Sequence, residues 1–214
     1  ANPKNIREQF SVVVERTVRE LNGESCISLE EAPPTKKQIV CSRSFGSRVT
    51  TVQEMREAIC QHSARAAEKL RKEKRYAKRI SVFIRTSPFN AHQSQYSNSA
   101  TGELSVPSDD SRDLINQAMR LLNSLWRDGY QYAKAGVMLS DFYAPGVYQP
   151  SLFDQGSQRQ PPGQERQESQ KSQALMSTLD KINQGGKSKV FFAGQGVKTG
   201  WIMKREHLSP AYTT

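Results

Sequence analysis

The sequence contains few residues whose types and spacing could support catalysis. It has no HExxH metalloprotease motif, no Walker phosphate-binding loop, no GxSxG nucleophile motif and no CxxC pair among its three cysteines. Asp109, Asp110 and Asp113 could bind a metal ion, but such carboxylates at the start of a predicted helix more commonly cap free backbone amides. His62 lies near an apolar helical stripe and is predicted to be a packed residue. We therefore expect neither a catalytic site nor a metal site in this chain.

Binding through positive charge is the chemistry that the composition favours. The formal net charge is +10 and the isoelectric point is near 9.6. The segment from Lys36 to Ser87 contains fourteen Lys and Arg residues and four Glu residues, so its excess of ten equals that of the whole chain. A concentrated excess of this kind suits an anionic partner, nucleic acid before an acidic membrane surface.

Two groups of residues within this segment are candidates for phosphate contact. The cations from Lys69 to Arg79 extend beyond the last turn of a predicted helix, so the helix dipole explains only part of the run. The segment Ser42 to Arg48 is predicted to be a turn in which Gly46 lets backbone amides approach a phosphate; an ordinary turn is the alternative. The scarcity of aromatic residues among these bases favours a duplex backbone over stacking on single-stranded bases.

A short apolar motif, Gln149-Pro150-Ser151-Leu152-Phe153-Asp154, lies at the entrance to a polar segment. Its Leu-Phe pair would leave apolar surface in water unless it is covered. A leading glutamine with a Leu-Phe anchor suits a small apolar pocket that offers one polar contact on a partner protein. The alternative is that both apolar side chains fold back on the preceding domain.

The segment at 36–145 is predicted to form an α+β domain. Alternating β-formers predict the strands, and apolar residues at helical spacing predict the helices. The predicted elements are a strand at 38–44, a helix at 51–73, strands at 79–87 and 96–106, a helix at 111–128 and a strand at 132–142. This β-α-β-β-α-β order predicts a four-stranded sheet with two helices on one face.

The two ends of the chain are predicted to be smaller elements. Ile6 to Leu21 has the spacing of one amphipathic helix. Gln155 to Gln173 is too polar to bury a core and is predicted to be a linker, followed by a short helix at 174–183 and a short strand at 190–193, so the tail is largely irregular. With no membrane-length apolar run and no visible signal peptide, the expected location is the cytoplasm, with reduced cysteines.

Several segments are long enough to be specific family motifs. They are Phe10-Ser11-Val12-Val13-Val14-Glu15-Arg16-Thr17, Cys41-Ser42-Arg43-Ser44-Phe45-Gly46, Arg65-Ala66-Ala67-Glu68-Lys69-Leu70, Lys134-Ala135-Gly136-Val137-Met138-Leu139, Met203-Lys204-Arg205, Leu208-Ser209-Pro210 and Tyr212-Thr213-Thr214. Together these motifs resemble the UmuC-type Y-family translesion DNA polymerases, over nearly the whole chain.

The resemblance implies four parts. Residues 1–35 look like the end of the thumb, 36–145 like the little finger that lies on the primer–template duplex, 146–173 like a linker with a clamp-binding motif, and 174–214 like a UmuC-specific C-terminal region. The implied DNA-contacting residues are Arg43, Ser44, Phe45, Gly46, Arg48, Lys74, Arg75, Arg79 and Arg85. Gln149, Leu152 and Phe153 match the Gln-x-x-Leu-Phe motif that binds the sliding clamp, and Pro150 is a departure at its second position.

The resemblance also implies a role in SOS mutagenesis and DNA damage tolerance. The family's catalytic carboxylates hold two Mg²⁺ ions in a palm domain that is absent here, so this chain is expected to need no cofactor and not to polymerise. The parent would be a DNA-directed DNA polymerase. Expected partners are primer–template DNA, the sliding clamp, a UmuD-like dimer and a recombinase filament, near the nucleoid of a bacterial cytoplasm, with no membrane partner.

Two other functions stay open on the residues alone. The β-α-β-β-α-β order also suits an independent RNA-binding α/β module, although no RNP-like aromatic run is present. A hydrolase or transferase has no support in the residue inventory. Selective binding of single-stranded RNA over duplex DNA would favour the first, and metal-dependent turnover would favour the second.

Overall fold

The computed structural model describes residues 2–28, 35–90, 93–148, 162–186, 189–197 and 200–203, with only the backbone of 162–169. The chain divides into two compact units, residues 1–36 and residues 37–214. The first is helical and the second contains the sheet. Within the described ranges, no helix combines the length and apolar character needed to cross a membrane.

The first unit consists of two short helices, α1 (Pro3–Gln9) and α2 (Val12–Leu21). The prediction of one continuous helix at 6–21 is wrong. The backbone of Ser11 is extended, and its hydroxyl oxygen accepts the amide of Val14 at 3.4 Å, so a new helix begins there. The helical spacing of the apolar residues did not reveal this cap.

The second unit contains a four-stranded antiparallel sheet in the order β1-β4-β2-β3. Its elements are β1 (Gln38–Val49), α3 (Val52–Lys72), β2 (Tyr76–Thr86), β3 (Ser97–Ser108), α4 (Ser111–Leu125) and β4 (Tyr132–Tyr143). Helix α3 connects β1 to β2 across β4, and α4 connects β3 to β4 across β2. Both connections are split β-α-β units, which confirms the predicted fold class.

Helices α3 and α4 pack on the same face of the sheet. Helix α3 begins where predicted, because the hydroxyl oxygen of Thr51 accepts the amide of Glu54 at 3.3 Å. Its inner stripe includes Met55, Ile59 and Leu70, which are fully buried. The central strands complete the core with Ile80, Val82, Ile84, Val137 and Leu139.

The C-terminal segment is more helical than the composition indicates. Helix α5 (Pro162–Gln184) begins within the stretch predicted to be a linker, so that prediction is wrong for 162–173. Its second half is anchored by Met176, which is 2% exposed, and by the contacts of Asp180 described below. A 3-10 turn at Ala193–Gln195 follows, and the strand predicted at 190–193 is not found. Tertiary contacts stabilise this helix, and composition does not reveal such contacts.

Candidate nucleic-acid interface

The sheet face opposite α3 and α4 consists mainly of small, hydroxyl-bearing and basic residues. Because side chains alternate along a strand, every second residue points to this face. Four rows in register cross β1, β4, β2 and β3: Gln38, Ser140, Arg79 and Glu103; Val40, Met138, Ser81 and Thr101; Ser42, Gly136, Phe83 and Ser99; and Ser44, Lys134, Arg85 and Ser97. We call these four rows the open face.

One end of the open face is positive. Arg85 and Lys134 are cross-strand neighbours in the last row, with Ser44 and Ser97 on either side of them. Arg85 is exposed and Lys134 is partly exposed. Two cations flanked by hydroxyl groups form a set of donors suited to phosphate oxygens.

The opposite end of the open face holds an ion pair. The Arg79 Nη2 atom lies 2.7 Å from Oε1 of Glu103, and the two side chains are 46% and 52% exposed. The hydrogen bond between them raises the pKa of Arg79 and lowers the pKa of Glu103. The carboxylate therefore offsets the positive charge of Arg79 at this end.

Phe83 is the only aromatic side chain in the four rows and lies near their centre. A methyl group added at Gly136 would come within 2.6 Å of the Phe83 ring and 2.3 Å of the Ser42 Cβ atom. Glycine therefore makes room for the ring to lie across the neighbouring strand. The ring is partly exposed in the middle of a polar surface.

The predicted phosphate-binding turn at 42–48 is wrong, because β1 continues through it. Phe45 is only 6% exposed and packs in the core, which holds the chain extended. The amide of Gly46 donates to the carbonyl of Trp201 at 3.0 Å, so it is already paired. Of the residues at 42–48, only Ser42 and Ser44 lie on the open face.

The two arginines of that group lie apart from the open-face cations. The strand neighbours of Arg43 at positions 41 and 45 are both buried, which places Arg43 on the helix-covered side. There, burial and the nearby charge of Arg43 lower the pKa of His62 to about 4. Arg48 is exposed in the irregular last part of β1.

Lys74 and Arg75 close the C-terminus of α3. Lys74 adopts φ +52°, and its amide donates to the carbonyl of Arg71 at 2.9 Å. The Arg75 amide donates to the carbonyl of Leu70 at 3.3 Å, which completes a Schellman-type helix end. Lys74 also lines a cavity of 490 Å³ beside α5, so it lies away from the open face.

Part of the positive charge between Lys69 and Arg79 is paired within the protein. Arg71 donates from Nε and Nη2 to the two carboxylate oxygens of Asp180, both at 2.7 Å. Lys72 pairs with Glu68 at 2.9 Å. These pairs explain part of the run without a phosphate, and Arg71 in particular serves to hold α5.

Of the three aspartates at the start of α4, Asp110 is the predicted cap of a backbone amide, and Asp113 bonds to a side chain. An Asp110 carboxylate oxygen accepts the amide of Arg112 at 2.7 Å, and Asp113 accepts the hydroxyl of Ser108 at 2.7 Å. Burial raises the pKa of Asp109. Among the described residues, no group of three or more His, Cys, Asp and Glu side chains is arranged to hold a metal ion.

The sequence-based site omitted several residues of the open face, namely Lys134, Ser97, Ser99 and Thr101. The alternation Ser97-x-Ser99-x-Thr101 is a signal for the polar side of β3. Lys134 could not be placed beside Arg85 without knowing that β4 lies between β1 and β2. The predicted clamp-binding residues, Gln149, Leu152 and Phe153, lie outside the described residues and stay a prediction.

Comparison with known proteins matches two segments of the chain to family models. Residues 36–152 match the impB/mucB/samB family C-terminal domain, and residues 173–214 match a domain of unknown function, DUF4113. Protein SamB of Salmonella typhimurium is 56% identical over 214 residues, which cover 100% of this chain and 48% of SamB. Protein UmuC of Salmonella typhimurium strain LT2 is 52% identical over 210 residues, 98% of this chain and 47% of UmuC. Protein MucB of Escherichia coli is 51% identical over 214 residues, 100% of this chain and 48% of MucB.

Proposed function

Because this chain belongs to the impB/mucB/samB family of UmuC-type Y-family DNA polymerases, we propose that it holds primer–template DNA and docks on the sliding clamp. The relatives support a role in error-prone translesion synthesis. The chain spans about half the length of the curated relatives it matches. We assign no catalytic step to its residues; nucleotide addition with Mg²⁺ would belong to a palm domain of the whole polymerase.

The open face is the observation that carries the DNA-binding proposal. Its hydroxyl groups are short and leave room for a sugar–phosphate backbone to approach the sheet. Arg85 and Lys134 supply two adjacent positive charges that are not placed there by any need of the core. Contacts of this kind position a protein on a duplex without reading its sequence, which suits a polymerase that must act on any template.

The dimensions of the open face suit a duplex. Four strands about 4.8 Å apart give a width of roughly 14 Å, and the six residue steps from Arg79 to Arg85 give a length of roughly 20 Å. The major groove of B-DNA is about 12 Å wide, so the face is long enough to approach both phosphate strands that border it. Arg85 and Lys134 at one end are suited to contact one border, and Arg79, which is paired with Glu103, lies at the other end.

The RNA-binding alternative gains one observation, the partly exposed Phe83 ring on the open face. RNA-binding sheets of this topology usually stack two or three bases on aromatic side chains. A single ring among hydroxyl groups and cations supports backbone contact better than stacking. The two functions are therefore distinguished by the nucleic acid that binds more tightly.

A salt series tests the DNA-binding proposal. The purified chain is titrated into a primer–template duplex between 50 and 300 mM salt, next to a single-stranded RNA of equal length. We expect duplex binding whose log–log salt slope is about −2 or steeper, since each neutralised phosphate contributes about −0.9. No duplex binding at the lowest salt, or tighter binding to RNA, would overturn the proposal.

The clamp-docking proposal rests on the sequence motif Gln149-x-x-Leu152-Phe153. We expect the double change Leu152→Ala with Phe153→Ala to abolish binding to a sliding clamp, because both apolar anchors are removed. Asp154→Ala, next to the motif, is the matched control and should bind as the unchanged chain does. Clamp binding that survives the double change would refute this part.

The other expected partners follow from the same family membership. We include a UmuD-like dimer and a recombinase filament, and a bacterial cytoplasmic location near the nucleoid, in the proposal. A pull-down of each purified partner with the chain, with and without residues 173–214, tests whether that segment takes part. Equal capture of a partner with and without residues 173–214 would show that this segment does not take part in binding it.

A further inference from the structure

The second half of β1 leaves the ladder that its first half forms with β4. Ser44 pairs with Lys134, but the next paired residue on β1 is Val49, which lies opposite Tyr132. Four residues of β1, 45–48, therefore lie opposite one residue of β4. Backbone groups in such a bulge have no ladder partner on the neighbouring strand and can bond to another part of the chain.

The tail of the chain bonds to one backbone amide and one side-chain hydroxyl of this bulge. The Gly46 amide donates to the carbonyl of Trp201 at 3.0 Å, and the Ser47 hydroxyl donates to the carbonyl of Gly200 at 3.0 Å. The chain positions joined in this way are more than 150 residues apart. The tail thus bonds to the part of β1 that is not paired with β4.

The Trp201 side chain fills a place in the core of the sheet domain. It is 3% exposed and meets the Phe45 ring edge to face, with centroids 5.7 Å apart. Its centroid lies 6.4 Å from that of His62 on α3. An aromatic residue buried on this scale is a major contribution to core packing, so the tail is integrated into the domain.

The backbone before Trp201 fits closely on α3. A methyl group at Gly194 would lie 3.1 Å from Sγ of Cys60, and one at Gly196 would lie 2.4 Å from the Glu57 carboxyl group. Gly196 also has φ +70°, which favours glycine. The backbone at residues 194 and 196 therefore lies against α3.

A second anchor attaches the helical part of the segment. The bidentate pair of Arg71 with Asp180 has both side chains at most 15% exposed. The amide of Val190 and its carbonyl are both bonded to the side chain of Asn183, at 2.8 and 2.9 Å, so the chain beyond α5 is tied to the end of that helix. The segment is therefore held at two places on the sheet domain.

We propose that the described part of residues 173–203 is a strap whose function is to complete the sheet domain and hold the bulged end of β1. This assigns an intramolecular role to a segment whose family model carries no function. The strap role is independent of the DNA-binding proposal, because every contact that carries it lies within this chain.

Fluorescence quenching tests whether the Trp201 side chain is buried against Phe45 and His62 in solution. The chain has two tryptophans, so Trp126→Phe leaves Trp201 as the only reporter. We expect acrylamide to quench Trp201 weakly in the folded chain and strongly after unfolding in urea. Quenching in the folded chain as strong as in the unfolded chain would overturn the proposal.

Amide hydrogen exchange tests the hold on β1. Trp201→Ala should lower protection at Gly46 by up to roughly tenfold relative to the amides of β2, because it loosens the backbone that accepts this hydrogen bond. It should also lower Tm by about 10 °C. Val197→Ala, which changes a residue that is 89% exposed on the same tail, is the matched control and should change neither.

A milder variant distinguishes loss of the local contact with β1 from unfolding of the whole domain. Trp201→Phe keeps an aromatic ring against Phe45 and should keep the Gly46 amide protected from exchange. It should lower Tm less than Trp201→Ala does. If protection at Gly46 is unchanged in Trp201→Ala, or falls equally in Val197→Ala, the tail does not hold β1 and the proposal is wrong.

Discussion

The two faces of the sheet are built from the same strands, yet they contribute different things to the molecule. Along β2, Ile80, Val82 and Ile84 point towards the helices and are fully buried. Ser81 and Phe83, the residues between them, point to the open face. Each buried aliphatic side chain contributes about 1.5–3 kcal/mol to folding, so the covered face supplies stability while the open face presents groups for binding.

This difference shows that an excess of charge in a segment does not define a binding surface. Arg79 and Arg85 lie on the open face, Arg43 lies on the covered side, and Lys74 lies beside α5. Strand alternation and internal ion pairs divide the basic residues into separate groups. Only those on the open face share a surface with the hydroxyl groups.

The largest expected effect is a difference in the free energy of unfolding between substitutions at two consecutive residues of β4. Leu139→Ala on the covered face should lower the free energy of unfolding by about 2–5 kcal/mol, because Leu139 is fully buried. Met138→Ala on the open face should lower it by about 1 kcal/mol or less. Urea unfolding of both variants measures this, and equal losses would contradict the division between the faces.

The next prediction concerns DNA affinity. Arg85→Ala with Lys134→Ala should weaken duplex binding about thirtyfold at 0.15 M salt and make the salt slope shallower by about two, because two phosphate contacts are lost. Arg48→Ala with Lys74→Ala removes the same charge away from the open face and is the matched control. A larger loss of duplex affinity in the control would indicate that the DNA interface lies outside the open face.

The covered face should make stability depend on pH through His62. Burial and the charge of Arg43 hold its folded pKa near 4, below the ordinary value of 6.5. The unfolded chain therefore takes up a proton first, and stability is lost as pH falls from about 6.5 towards 4. We expect a loss of about 2 kcal/mol between pH 7 and pH 5.

Replacing the imidazole checks this assignment. In His62→Gln, urea unfolding at pH 7 and pH 5 should show a difference smaller by about the same 2 kcal/mol. An unchanged difference would mean that other groups cause the pH dependence.

The smallest expected effect is a change in duplex affinity at the end of the open face that holds the ion pair. Glu103→Gln should strengthen duplex binding about fivefold at 0.15 M salt, because Arg79 loses its carboxylate partner and gains access to a phosphate. Adding Arg79→Ala should cancel the gain. A gain that persists without Arg79 would show that Glu103 acts by repulsion of phosphate and not through the ion pair.

Local patterns predicted the sheet domain because the signals act within a few residues. The Thr51 cap, the apolar stripe of α3 and the alternation in β2 each appear in short stretches of sequence. The same approach failed at Ser11, where a single cap divides a helix, and at 42–48, where a strand continues through a Ser-Gly-rich segment. In the second case the deciding factor was the burial of Phe45, which depends on contacts with the core.

The sequence by itself determined the order of the elements in the sheet domain, the apolar stripes of α3 and β2, and the match to a family of translesion polymerases, since periodicity and identity are properties of the chain. The tertiary structure alone brought Arg85 beside Lys134, paired Arg79 with Glu103, and seated Trp201 against β1. These contacts join residues far apart in the chain. They depend on strand order and on the packing of the tail, which no local pattern encodes.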